Sequence, residues 1–253
     1  MTLLAADEPA PVMHERLDAA SPFLITCDHA GHLIPRSLDN LGVPTVDTMR
    51  HIGWDIGALG VARELAALLD GELVAQRYSR LVIDCNRPPH SAELFTARSE
   101  ATDIPGNQAL TDTEREARHA HIYAPYHHTI TSLLDARAAV GRTTIYIAVH
   151  SFTPIYLGRA RPWQLGVLSG DDRRVAEPML EFLRTHGDFC IGDNEPYRID
   201  EKDYGIPAHA LSRGLPNVLV EIRQDLIAQE SGQRGWAQRL AATLRHARAA
   251  LKL

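Results

Sequence analysis

Residues 143–149, TTIYIAV, are β-branched or apolar at nearly every position, so a strand built from them is buried on both faces. Only a sheet covered on both sides can hold such a strand. Residues 22–26 (PFLIT) and 216–222 (PNVLVEI) have the same character, and weaker strands are expected at 72–76, 81–85, 164–169 and 189–191. Helical spacing of Leu59, Ala62, Ala66 and Leu69 predicts a helix over 56–70, which Gly71 stops. Thr111-Asp112-Thr113-Glu114 is a capping-box pattern opening a helix toward Val140, with Pro125 able to kink or break it. Asp171 or Asp172 caps a helix running to His186, and 235–251 forms a last amphipathic one. Strands alternating with helices predict a mostly parallel sheet with helices on both faces, a three-layer α/β sandwich. With no linker-like stretch or repeat, 1–253 reads as a single domain, residues 1–20 being a peripheral N-terminal segment.

A chain of 253 residues can bury about 70–75 % of its unfolded surface, enough for a sizeable core. A net charge of -6 gives no electrostatic reason to expect nucleic acid, which asks for a basic face. No apolar run approaches the roughly 18–20 residues of a membrane span. Residues 1–20 carry Asp7, Glu8, Glu15 and Asp18 and lack a basic start followed by an apolar stretch, so they do not resemble a signal peptide; the expected location is the cytoplasm. Cys27, Cys85 and Cys190 are an odd set without a CxxC pair, which argues against a disulfide framework.

Directly after the first strand comes Cys27-Asp28-His29-Ala30-Gly31-His32, an acid and two histidines on a glycine-containing turn. Other polar residues also sit where apolar runs end: Asp84, Asn86 and Arg87 after 81–83, His150 and Ser151 after 143–149, Glu221 near the end of 216–222. Ligands of open parallel sheets bind outside the carboxyl ends of the strands, so these separate segments are expected to meet. Two histidines and one carboxylate are the ligand set of a catalytic zinc site, whose fourth position is left to water. His29 and His150 supply the imidazoles. For the acid position His32 and Asp55 compete; Gly31 and Pro35 make an irregular turn between 29 and 35, which favours Asp55, although Asp55 could instead cap the helix that follows it. Glu221, in an apolar run, is costly unless paired or facing a site, and is the best general-base candidate; a salt bridge with Arg223 is the alternative. Arg77, Arg80 and Arg87 flank one apolar run, and a guanidinium can grip a carboxylate or polarise a carbonyl.

The ordered set of segments resembles the N-formylglutamate amidohydrolase family. It comprises residues 23–31 with Ile34-Pro35, then HIGWDIGA at 51–58, YSRLVIDCNR at 78–87, Pro125-Tyr126-His127, His150-Ser151-Phe152, Asn194-Glu195-Pro196-Tyr197 and Glu221-Ile222-Arg223. The same order is similar to that of zinc carboxypeptidases and aspartoacylases, which implies a zinc-exopeptidase-like sandwich around a mixed sheet. The resemblance implies zinc on His29, Asp55 and His150, Glu221 as base, and Arg80 supporting the oxyanion. It also places Asn86 and Arg87 on a substrate carboxylate, with His127 and Tyr197 facing the substrate. Two departures stand out: His32 occupies the acid position of the carboxypeptidase HxxE spacing, and the charged stretch 198–204 follows the expected binding loop.

The expected activity is zinc-dependent hydrolysis of a small carboxylated N-formyl or N-acyl amino acid such as N-formylglutamate. A zinc peptidase or muropeptide amidase would keep the metal and differ in pocket size, set by 88–110 and 192–207. A cysteine amidohydrolase using Cys27 lacks an organised base. A non-catalytic carboxylate-binding protein would use Arg80 and Arg87 without needing Glu221.

Overall fold

The computed structural model describes residues 2–252. A seven-stranded sheet runs through it: β1 (Val12–Glu15), β2 (Phe23–Cys27), β3 (Glu72–Gln76), β4 (Ile145–Phe152), β5 (Leu165–Leu168), β6 (Ile191–Asp193) and β7 (Asn217–Arg223), in spatial order β1-β3-β2-β4-β7-β5-β6. β3, β2, β4 and β7 are mutually parallel, while β1 is antiparallel to β3 and β5 antiparallel to β7. The sheet is therefore mixed and mostly parallel. β1 comes from the N-terminal segment, which is tied down further by Tyr78 Oη donating to the Pro9 carbonyl at 2.8 Å.

The central strand shows why both faces are apolar. Ile145, Ile147 and Val149 enter one core with α1 (Ala58–Leu69), α4 (Ala176–Thr185) and α5 (Glu230–Ala250), whereas Tyr146 and Ala148 enter a second core under α3 (Ala124–Ala139). In β7, Val218, Val220 and Ile222 face the first core and Leu219 the second. By the same alternation His150 and Glu221 follow Ala148 and Leu219 on the second face, at the carboxyl ends of adjacent parallel strands, and they are register partners.

Several elements differ from the sequence expectation. The predicted strand over 81–85 is irregular, although Leu81, Val82 and Ile83 are buried in the second core. Side chains from elsewhere satisfy its carbonyls in place of a neighbouring strand: Asn107 Nδ2 donates to Leu81 O at 2.8 Å and Arg118 Nη1 to Val82 O at 3.1 Å. The capping box at Thr111 is present and opens α2 (Asp112–Arg118), but Pro125 does not break the helical path; a widened π turn over His119–Tyr123 leads directly into α3. α4 begins beyond Asp171 and Asp172, with Asp172 paired to Arg174 rather than capping it, and α5 begins at Glu230, earlier than expected. β6 lies two residues beyond its predicted place. No helix of the described residues is long and apolar enough to cross a membrane.

Gly31 fixes the path out of β2. A Cβ there would lie 1.8 Å from the Arg77 carbonyl oxygen, so only glycine lets the two backbones cross. Arg118 is the other keystone, almost fully buried and also hydrogen-bonded to Asn107 Oδ1 and Gly106 O. Arg118→Leu leaves the Val82 and Gly106 carbonyls unpaired and is expected to cost about 2–4 kcal/mol in urea-unfolding measurements.

Candidate metal centre

Each inner residue of the site is placed by the sheet or by a backbone link to it. His29 follows β2, His150 lies within β4, and the Asp55 N–H donates to the His29 carbonyl at 2.9 Å, joining the two loops. Asp55 does not cap α1, which begins after Gly57 without any side-chain cap. Its carboxylate turns to the imidazoles instead: Asp55 Oδ2 lies 2.8 Å from His150 Nδ1 and 3.5 Å from His29 Nδ1. The imidazole rings meet nearly edge-on, centroids 5.0 Å apart. One ligand atom from each of the three residues lies within 4.8 Å of the others, and all three residues are buried. His32 stands apart, exposed against the Trp54 ring, so Asp55 is the acid that joins the cluster.

Outside this group each distal imidazole nitrogen faces a carboxylate. His29 Nε2 is 2.7 Å from Asp84 Oδ1, and His150 Nε2 is 3.4 Å from Asp28 Oδ2. Asp84 accepts Arg80 Nε at 3.0 Å and Nη2 at 2.6 Å through its other oxygen, and Asp28 accepts the Tyr126 hydroxyl. Carboxylates behind imidazoles are the usual outer support of metal-bound histidines. Burial pushes the Asp84 and Asp55 acids up, but Arg80 and His29 for the first, and His29 and His150 for the second, hold both well below the ordinary carboxylate range.

The residues fit a divalent cation. Asp28, Asp55, Asp84 and Glu221 are buried together around two imidazoles with Arg80 as the adjoining guanidinium, and His29 Nδ1 has no hydrogen-bond partner. A cation held by His29, Asp55 and His150 would use that nitrogen and offset the excess negative charge. Glu221 beside it carries a buried, unpartnered Oε2, and burial raises its acid to about 7.

A cavity of about 600 Å³ opens on this group, and its wall includes Arg80, Asn86, Arg87, Tyr197 and Glu221. Glu221 faces the cavity; Arg223, its alternative partner, pairs with Asp225 at 2.8 Å. Asn86 and Arg87 are already engaged by the 200–205 loop. Tyr197 accepts a hydrogen bond from Arg161 at 2.7 Å. His127 does not face the cavity: it is packed among Tyr123, Tyr126 and Tyr204, its Nδ1 sits 2.9 Å from His209 Nε2, and burial lowers it to about 3. Its helix turns it into the second core, so a substrate role for His127 is withdrawn. Cys27 is fully buried against α1 with its thiol pushed well up by burial, unsuited to nucleophilic work.

Sequence reasoning missed the supporting roles of Asp28 and Asp84. Asp84 serves Arg80 and His29 rather than its sequence neighbour Arg87. Their adjacency to His29 and Asn86 in sequence was the available signal.

A buried His–Asp–His cluster with flanking carboxylates, its histidines at the carboxyl ends of parallel strands, defines a protein with a group that could hold a metal ion beside a cavity. The chain belongs to the N-formylglutamate amidohydrolase family, whose model matches residues 21–228. The N-formylglutamate deformylase of Pseudomonas putida is 30% identical over 164 residues, 59% of this chain and 60% of that protein, and its Pseudomonas aeruginosa counterpart is 27% identical over 163. The match thus spans about 60% of the length of these relatives. The crystal structure of gene product Atu2144 from Agrobacterium tumefaciens is 38% identical, with 99% of this chain and 100% of that chain covered and a TM-score of 0.96. The N-formylglutamate amidohydrolase from Ralstonia eutropha JMP134, 20% identical with a TM-score of 0.68 over 96% of this chain and 99% of that one, shares the fold.

Asp28→Asn keeps the shape and removes the charge behind His150. If the cluster holds a divalent cation, that binding is expected to weaken about 10–100-fold, read by competition with a chromophoric chelator.

Proposed function

We propose that this chain is a zinc-dependent amidohydrolase that cleaves the N-formyl or N-acyl bond of a small carboxylated amino acid; N-formylglutamate is the compound in the relatives' names. The observation that carries this reading is the convergence of His29, Asp55 and His150 with Glu221 on one cavity. The layered sheet with these residues at strand ends supports the kinship with zinc exopeptidases. Three free cysteines, Cys190 exposed, fit a reducing cytoplasm.

His29, Asp55 and His150 would hold the zinc, which when bound supplies a Lewis acid that polarises the acyl carbonyl and makes water more acidic. Glu221 moves the proton. Its buried Oε2, without a hydrogen-bond partner and on the cavity wall, can take a proton from the attacking water and return it to the departing amine nitrogen. Water oxygen bonds to the acyl carbon, the C–N bond breaks, and a carboxylate and an amine leave. Arg80 supports the charge on the acyl oxygen. Asp84 clamps its Nε and Nη2, which leaves Nη1, 3.8 Å from Asp55 Oδ1, as the donor not committed to Asp84.

Purified protein is expected to release formate from N-formyl amino acids and to lose that activity with a chelator; full activity of metal-free protein would sink the proposal. Glu221→Gln is expected to keep its zinc, measured by elemental analysis, while hydrolysis collapses. Arg80→Ala should lower kcat by roughly 100–1,000-fold, as loss of an oxyanion donor does.

A further inference from the structure

Asp28 is buried directly behind His150, and its carboxylate is approached by three separate parts of the chain. Its Oδ2 lies 3.4 Å from His150 Nε2, and among the described residues neither of these two atoms has another hydrogen-bond partner. Its Oδ1 accepts the Tyr126 hydroxyl. Beside Oδ2 the backbone of Gly205 comes so near that a Cβ there would lie 3.0 Å away, and Asn86 Oδ1 keeps that backbone in place by accepting the Gly205 N–H at 2.9 Å. The conformation of Gly205, φ -54° and ψ -59°, is open to any residue. A side chain at 205 would therefore violate only the space next to Asp28.

Tyr126 reaches this acid because of the turn that precedes it. In the π turn over His119–Tyr123 the Ala124 N–H reaches back to the His119 carbonyl, one residue further than in an α turn, which rotates all of α3 by about 100°. Tyr126 is thereby turned into the second core and fully buried, where an unpaired hydroxyl would be costly; Asp28 is the partner it finds. Burial and the neighbouring Asp28 push the hydroxyl well above the ordinary tyrosine range, so it stays protonated and donates. The bond fixes the plane of the carboxylate, and the plane decides where Oδ2 points.

We propose that Tyr126 is a positioning residue of the metal centre: with Gly205 closing the other side, it aims Asp28 at His150 and so sets how tightly His29, Asp55 and His150 hold a divalent cation. The proposal rests on the reading of that cluster as a zinc site and deepens it. A carboxylate behind a ligand imidazole fixes the rotation of the ring and raises its basicity. Without the Tyr126 hydroxyl, Asp28 keeps its charge and loses the restraint on its direction.

Zinc affinity is measured by competition with a chromophoric chelator for wild type, Tyr126→Phe, Asp28→Asn and the double variant, with urea unfolding of the metal-free proteins alongside. Tyr126→Phe is expected to weaken zinc binding roughly 3–10-fold, less than loss of the outer carboxylate itself. In the Asp28→Asn background the same change is expected to add less than about twofold, because the two residues act as one unit. Unchanged affinity in Tyr126→Phe overturns the proposal. So does a loss that persists in full beside Asp28→Asn, which would mark a tyrosine that only supports the core. Gly205→Ala crowds Oδ2 without touching Tyr126 and is expected to weaken zinc several-fold at unchanged urea stability; an affinity equal to wild type there overturns the proposal as well. Formate release from N-formyl amino acids by the zinc-loaded wild type separates the two readings. Non-additive zinc affinities without any hydrolysis uphold the positioning role and overturn the amidohydrolase reading. Hydrolysis with an affinity unmoved by Tyr126→Phe does the reverse, and a wild type that binds no zinc overturns both.

Discussion

One carboxylate oxygen, Asp55 Oδ2, stands between two imidazoles that belong to different strand ends, and the whole centre is organised about it. Neither imidazole can turn freely, because its far nitrogen is faced by Asp84 or Asp28. Asp84 is in turn gripped by Arg80, and Asp28 by a tyrosine from α3. Four acids around two histidines are a costly thing to bury, and a cation answers the cost while every supporting contact keeps its geometry. The arrangement therefore binds the loops after β2 and before α1 to the helix layer over the second core.

The position of that centre follows from the strand alternation. Along β4 the second face reads Tyr146, Ala148, His150, and along β7 it reads Leu219 then Glu221. Toward the carboxyl ends the apolar filling gives way to groups that need a partner, because there the helix layer ends and the cavity begins. Parallel pairing places His150 opposite Glu221, which sets a buried carboxylate beside a member of the His–Asp–His cluster without any loop to position it. Groups held by strands are more precisely placed than groups held by loops.

This much was legible in the sequence. Polar residues interrupting runs such as TTIYIAV and PNVLVEI mark strand ends, and buried charge there needs an explanation. What stayed hidden was anything decided by long-range partners. Residues 81–85 have strand composition, yet their carbonyls are taken by Asn107 and Arg118, whose approach no local pattern announces. Asp84 pairs with Arg80, four residues before it across an irregular turn that no local pattern announces. His127 has the right neighbours in sequence and the wrong side of its helix, where His209 and three tyrosines enclose it.

The buried polar cluster and the cavity rim are built from different parts of this molecule. His29, His150 and Glu221 lie on or just beyond the parallel strands. The corner at Asn86 and Arg87 is instead closed by residues 200–205, an irregular stretch whose contacts are local hydrogen bonds and one shared acid. A single substitution at such a contact changes the charge presented to a ligand without disturbing any strand. For that reason side-chain preference within this fold has to be argued from the residues that line each cavity.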